Sequence, residues 1–230
     1  MLSAAVVAGS AVTATSQSPV DLIASHGQTV CHLPESGTTL QLGDGSVIAN
    51  RTGVVTVSDF RTADMALGGQ GAPLVPLFDS HLLAHPNMTR IAVNLGGIAN
   101  ITVISPGALT VRAWDTGPAN CVSDALCRLR GRGEFDPDGV GASSGRVDDE
   151  LLDRLLEMEY FARSHPKSTG LEDFGESFAG TLPLDMRFED VLRTALALSA
   201  QSLVDAIIQQ APSEGSVELV FAGGGTANRT

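Results

Sequence analysis

The sequence predicts a mixed α/β fold. Short apolar runs rich in Val and Ile recur along it, each bounded by glycine or polar turns. Two longer stretches, 148–161 and 188–210, repeat their apolar residues with a helical period. Glycine pairs and triplets follow several of the strand-like runs, where α/β proteins place ligand contacts. At 230 residues the chain is long enough for one large domain or two small ones. Only 4% of residues are aromatic, so Leu, Val, Ile and Ala must fill the core.

Residues 1–20 are rich in Ala, Ser, Thr and Val and break at Pro19. A helix is one reading, although neither periodicity nor a cap supports it. The stretch lacks the basic start of a signal peptide. Residues 21–24 read as a strand that ends in Ser25, His26 and Gly27. His26 is there either as a ligand contact or as a histidine satisfied by turn hydrogen bonds. Residues 38–42 and 46–49 flank Gly43-Asp44-Gly45, a hairpin signal. The β-branched run 54–57 leads into Asp59, Arg61 and Asp64, then into the glycine-rich loop 67–73 that carries Gln70. This stretch reads either as a site for a polar ligand or as an Asp–Arg surface pair. A helix and a turn are predicted over 74–87.

Two apolar strands, 90–94 and 100–104, surround Leu95-Gly96-Gly97-Ile98-Ala99. The glycines permit positive φ and leave amides open to a phosphate, or they form an ordinary hairpin turn. A third strand, 111–114, runs into Asp115-Thr116-Gly117-Pro118. A helix capped by Asn120 is predicted to run to about Gly131. Asp115 then lies just before a helix N-terminus, whose dipole favours an ionised carboxylate. It reads equally as a turn cap and as a catalytic carboxylate. Residues 133–147 are Asp-rich but lack the spacing of a calcium loop. The helix 148–161 places Leu151, Leu152, Leu155, Leu156 and Tyr160 on one face. The helix 188–210 is the longest. A strand at 218–221 then feeds Gly223-Gly224-Gly225, a ligand-approach signal.

The net charge of −12 argues against nucleic acid and anionic membranes as partners. Lys167 is the only lysine, so phosphate neutralisation falls to arginine, backbone amides or a metal ion. Three cysteines with no CxxC spacing argue against a disulfide framework or a zinc site and fit a reducing cytoplasm. No apolar run of membrane-spanning length is expected.

Six motifs occur in order: SHGQTVCHLP (25–34), SDFRTADMALGGQGAPLVP (58–76), VNLGGIANITVI (93–104), WDTGPAN (114–120), HPKSTG (165–170) and AGGGTAN (222–228). Together they resemble the anhydro-N-acetylmuramic acid kinase family over about residues 21–230. The resemblance implies the sugar kinase/actin-like ATPase (ribonuclease H-like) fold, with two α/β lobes around a cleft. Residues 1–20 would be an atypical segment in place of the first phosphate turn. Residues 21–89 would belong to the first lobe and carry sugar-site loops, and 90–230 to the second.

The implied reaction is ATP-dependent phosphorylation of 1,6-anhydro-N-acetylmuramic acid at O6 while water opens the anhydro ring. The product is N-acetylmuramic acid 6-phosphate, in cytoplasmic cell-wall recycling. Asp115 would activate the water. Arg61, with Asp59, Gln70 and His26, would meet the sugar. Gly96, Gly97 and Asn100 match the second phosphate hairpin, Gly117 belongs to WDTGPAN, and Gly223, Gly224, Gly225 and Asn228 match the nucleotide-side loop. Mg2+ would neutralise phosphate charge, with no protein ligand assigned to it.

The chain also departs from the family pattern. The family's opening GTSxDGxD turn, which grips the ATP phosphates, has no counterpart, since residues 1–20 contain no Asp. DTGPGN reads DTGPAN, and if Ala119 must adopt positive φ it costs roughly 1 kcal/mol. The last loop reads GGGTAN, where members more often carry a His before the Asn. A member shortened at both ends is expected, either an anhydrosugar kinase or an inactive fragment that keeps sugar binding without productive ATP. Hydrolase chemistry at Asp115 is disfavoured because no GxSxG elbow exists. Apolar surface at the shortened ends would favour aggregation or a homodimer.

Overall fold

The computed structural model describes residues 4–6, 20–212 and 215–230, with 4–6 as a strand without its side chains. The chain divides into two compact units, 1–74 and 75–230.

In the first unit the elements are β1 (Ala4–Val6), β2 (Leu22–Ala24), β3 (Gln28–Leu33), β4 (Thr38–Leu42), α1 (Gly45–Thr52), β5 (Val55–Val57) and α2 (Phe60–Ala66). A parallel sheet has the order β1-β2-β5, with Leu22 beside Ala4 and Val55. The strand at Ala4–Val6 replaces the helical reading there, and the rest of 1–19 lies outside the described residues. The hairpin expected at 38–49 is also corrected. Asp44 Oδ1 accepts from the amides of Ser46 (2.7 Å) and Val47 (3.0 Å), so it caps α1 instead of turning a hairpin. These amides, Val47 first, hold its carboxyl below the ordinary range. The partner of β4 is β3, antiparallel, with a register shift between Thr29 and Cys31. Among the described residues, every buried apolar side chain belongs to the second unit.

That unit starts with α3 (Pro76–Leu82), β6 (Thr89–Leu95), β7 (Ile98–Ile104), β8 (Val111–Pro118) and α4 (Asn120–Leu129). Five short helices follow: α5 (Val140–Ser143), α6 (Asp149–Leu156), α7 (Glu159–Ala162), α8 (Leu171–Phe174) and α9 (Glu176–Ala179). The long α10 (Phe188–Gln210) and β9 (Val217–Ala222) complete it. The sheet order is β8-β7-β6-β9, with antiparallel pairing through β8-β7-β6 and a parallel β6–β9 pair. On one face Ile91, Val93, Ile101, Val103 and Trp114 pack against Leu203, Ala206 and Ile207 of α10. The opposite face meets α3, where Thr102 Oγ1 donates to Asp79 Oδ2 (3.1 Å). Burial outweighs that bond and raises the Asp79 carboxyl. A second cluster gathers α4, α6, α8, α9 and α10 around Phe174, Leu126, Leu192 and Leu198.

The helix predicted over 148–161 is two helices. Asp148 caps α6, its Oδ1 accepting from the Leu151 amide at 2.8 Å. Met158 (φ −58°, ψ 140°) then breaks the helix before α7 and lets Tyr160 turn toward β8. The expectation of no span-length apolar run also needs correction, because α10 is long and apolar enough to cross a membrane by length and composition. Val191, Leu192, Ala195, Leu198 and Leu203 are buried, as in a core helix.

Candidate active site

In the first unit the parallel strands β2 and β5 are followed by Ser25 and Ser58, which line a polar cavity of about 170 Å³ with His26, Gln41, Ser46 and Asp59. Ligands commonly sit at the carboxyl ends of parallel strands. His26 Nδ1 bonds the Gly27 carbonyl (2.9 Å), and Ser58 Oγ donates to Asp59 Oδ2 (3.0 Å). Asp59 adopts φ 62°, a left-handed conformation that Asp tolerates better than most residues. The cavity therefore brings together two of the four expected sugar contacts. Arg61 and Gln70 do not line it. Arg61 Nη1 donates to the Gly71 carbonyl (2.6 Å) and Asp64 Oδ2 accepts from the Gly71 amide (2.7 Å), so the pair clamps the glycine loop at its far end. Gln70, just before that clamp, is exposed.

In the second unit the sheet register sets the site. Ala222, Asn94, Asn100 and Asp115 stand opposite one another across four strands. Cross-strand neighbours share a face, and for Asn94, Asn100 and Asp115 it is the face away from α10. Asn94 was missed by the sequence reading. Its only signal was its place in the NLGGIAN motif, two residues before the glycine pair.

Asp115 lies inside β8, five residues before α4 begins, so the helix-dipole expectation does not hold. Asp115 is 9% exposed, and its Oδ2 accepts from the Thr169 amide (3.0 Å). Its backbone amide donates to the Lys167 carbonyl (3.0 Å), and its own carbonyl accepts from Tyr160 Oη (2.7 Å). Its carboxylate oxygen thus meets the segment just ahead of α8, not the first turn of α4.

The glycines divide into two kinds. Gly96 and Gly97 do not use the positive φ open to glycine, and a Cβ at either would make only ordinary contacts. Around Gly224 a Cβ would meet nothing. Gly223 (φ 94°) and Gly225, by contrast, lie so close to Leu95 that a Cβ would come within 2.6 and 2.7 Å of its atoms. Gly117 (φ 154°) is buried, with Phe161 Cε1 and Ser202 Oγ 2.9 and 3.0 Å from where a Cβ would sit, so the chain's own packing requires it.

Asn120 is not a cap. Ala119 holds the N-cap position, and Asn120 Nδ2 donates to the Gly96 carbonyl (2.8 Å), tying the glycine hairpin to α4. The Ala119 and Cys121 amides both donate to the Gly97 carbonyl. Ala119 has φ −115°, so the feared left-handed strain is absent. Its ψ of −98° nevertheless lies outside the helical and extended regions open to an L-residue, so Ala119→Gly is expected not to lower stability. A denaturant midpoint below that of the parent chain would contradict this. Cys121 sits in the first turn of α4, yet burial pushes its thiol up to about 11, which argues against a nucleophile.

Gly224, Asn228 and Asn120 line a cavity of about 450 Å³ with Phe135, Asp124 and Asp138. Burial raises the Asp124 carboxyl, with Arg128 opposing. An acidic wall with an apolar side suits hydroxyls and a flat ring better than phosphate. Among the described residues no three His, Cys, Asp or Glu side chains converge on a point. The described residues therefore do not by themselves build a cage for Mg2+.

The second unit thus sets glycine turns at its strand ends beside one carboxylate held in the sheet. The family profile described as anhydro-N-acetylmuramic acid kinase matches residues 2–230. Proteins of that name from Salinibacter ruber and Thiobacillus denitrificans are 48% and 45% identical to it, over 92% and 90% of this chain. One from Photobacterium profundum is 41% identical over 94%. The chain belongs to the anhydro-N-acetylmuramic acid kinase family. Its mixed α/β architecture is consistent with that family's sugar kinase/actin-like ATPase fold. The matches span only 57%, 56% and 60% of these three relatives.

Proposed function

We propose that this chain carries the catalytic base and both glycine turns of an ATP-dependent kinase for 1,6-anhydro-N-acetylmuramic acid. The supporting observation is Asp115, a buried carboxylate with one oxygen on the Thr169 amide and both backbone groups held. A general base needs a fixed carboxylate within reach of water. In the proposed reaction water attacks the anomeric carbon, and Asp115 accepts the proton that water loses. The bond from C1 to O6 breaks, and O6 takes the γ-phosphoryl group of ATP. N-acetylmuramic acid 6-phosphate and ADP leave, and the proton on Asp115 passes to solvent. Mg2+ enters only as the companion of ATP.

Gly96 and Gly97, with no packing reason to lack a side chain, present amides to phosphate next to Asn100. Gly224 and Asn228 take the nucleotide side, with Gly223 and Gly225 shaping the loop. Residues 21–89 carry the sugar loops, with His26 and Asp59 at the cavity and Arg61 and Gln70 on the adjoining loop; 90–230 carry the phosphate and nucleotide turns. Such a reaction belongs to cytoplasmic recycling of peptidoglycan amino sugars.

One observation favours a second reading, sugar binding without turnover: Asp124 and Asp138 line the cavity with Gly224 and Asn228, and carboxylates there disfavour a phosphate chain. A coupled assay separates the two. ADP release that depends on the anhydrosugar supports the kinase. A sugar-dependent rise in Tm without ADP release supports the second reading, and neither response overturns both.

A further inference from the structure

Asp115 is held on three sides by one short segment. Tyr160 Oη donates to its carbonyl (2.7 Å), the Lys167 carbonyl accepts from its amide (3.0 Å), and the Thr169 amide donates to its Oδ2 (3.0 Å). The segment is itself closed by a side chain. Lys167 Nζ donates to the carbonyls of Tyr160 (2.9 Å) and Phe161 (3.3 Å) and lies 4.5 Å from the centre of the Tyr160 ring. The path from Asp115 through Tyr160 to Lys167 and back to Asp115 is therefore a ring.

We propose that Lys167 and Tyr160 form a clip that positions Asp115 for proton transfer, with Lys167 as its lock. The functional half of this inference rests on Asp115 being the base. The lysine's surroundings are those of a lock, not of a surface charge. Lys167 is the only lysine in the chain. It is half-buried, and the described residues show no carboxylate in an ion pair with it. Burial, and then Arg163, push its amine below the ordinary value. An ammonium kept there at a cost, with its donors on carbonyls at the end of α7, fixes backbone. The backbone it fixes carries Tyr160 at one end and Thr169 at the other. β8 is the sheet edge, so no further strand supports Asp115 from outside. The clip supplies that support.

The test compares the full chain with Lys167→Met, Lys167→Arg and Tyr160→Phe. Amide hydrogen exchange at Asp115 and Thr169 is read against Val93 and Ile101 in the sheet core. Lys167→Met is expected to speed exchange at Asp115 and Thr169 by about tenfold while the core amides stay unchanged. Lys167→Arg keeps a cation over the Tyr160 ring and recovers most of the protection. Tyr160→Phe speeds exchange at Asp115 in the same selective way. In the ADP-release assay Lys167→Met is expected to lower kcat about tenfold, with both KM values within about twofold of the parent.

Unchanged exchange at Asp115 and Thr169 would overturn the clip, and so would exchange that rises equally in the core. The exchange arm does not depend on turnover. Selective deprotection in a protein whose Asp115→Asn variant turns over normally would sink the base reading and leave the clip standing.

Discussion

Asp115→Asn is expected to leave the fold intact and to lower kcat by about 10²–10⁴-fold, the usual contribution of a positioned general base. The substitution is close to isosteric. Its amide oxygen can still accept from Thr169 N, and the backbone bonds to Lys167 and Tyr160 do not involve the side chain. What it cannot do is accept the proton that water gives up. The check is ADP release with the anhydrosugar, run beside thermal unfolding of the same preparations. A kcat near that of the parent, with Tm unchanged, would remove Asp115 from the chemistry. A Tm that falls sharply would make it a structural carboxylate.

Gly117→Ala is expected to be the most damaging small change near the site, costing about 2–3 kcal/mol. A Cβ would lie 2.9 Å from Phe161 Cε1 and 3.0 Å from Ser202 Oγ, at φ 154°. Overpacking of this kind costs about 1–3 kcal/mol, and backbone strain adds to it. For a chain of this size the loss corresponds to about 5–10 °C in Tm. The carbonyl of Phe161 is one of the two that receive Lys167 Nζ, so the strain also reaches the segment that holds Asp115. Thermal unfolding gives the result directly, and an unchanged Tm would mean that the packing around Gly117 yields freely.

Most of the strands and the long helix were legible because their patterns are local, whereas β1 and β3 were not read as strands. Val55–Val57 and Ile98–Ile104 announce themselves by β-branched residues between turns, and α10 by its period. The element at 45–52 was misread because Gly-Asp-Gly suits a hairpin and a helix cap alike. What decided it was the Asp44 side chain meeting two amides, which no spacing rule contains. Asp115 was legible as a residue of interest from its turn. Its environment was not, because Tyr160, Lys167 and Thr169 lie 45 to 54 residues away in sequence. Ala119 gave the opposite error. An off-pattern residue suggested strain, and the backbone there is not left-handed. The glycines show the limit most sharply. Gly97 and Gly117 are the same letter, yet one is open and the other is packed under two side chains.

The parallel pairing of β6 with β9 has a consequence for how the protein is made. β6 meets β7 across a two-residue turn, but Glu218 of β9 lies 128 residues from its partner Arg90. Contacts of such separation form slowly, because the chain's closure entropy must be met first. The β6–β7–β8 meander, with Asp115 on it, can form while synthesis is still under way. The loop Gly223–Gly225 can reach Leu95 only after β9 has emerged from the ribosome. Asp115 therefore takes its place in the sheet before the Gly223–Gly225 loop does, and the contact of that loop with Leu95 is acquired late in biogenesis.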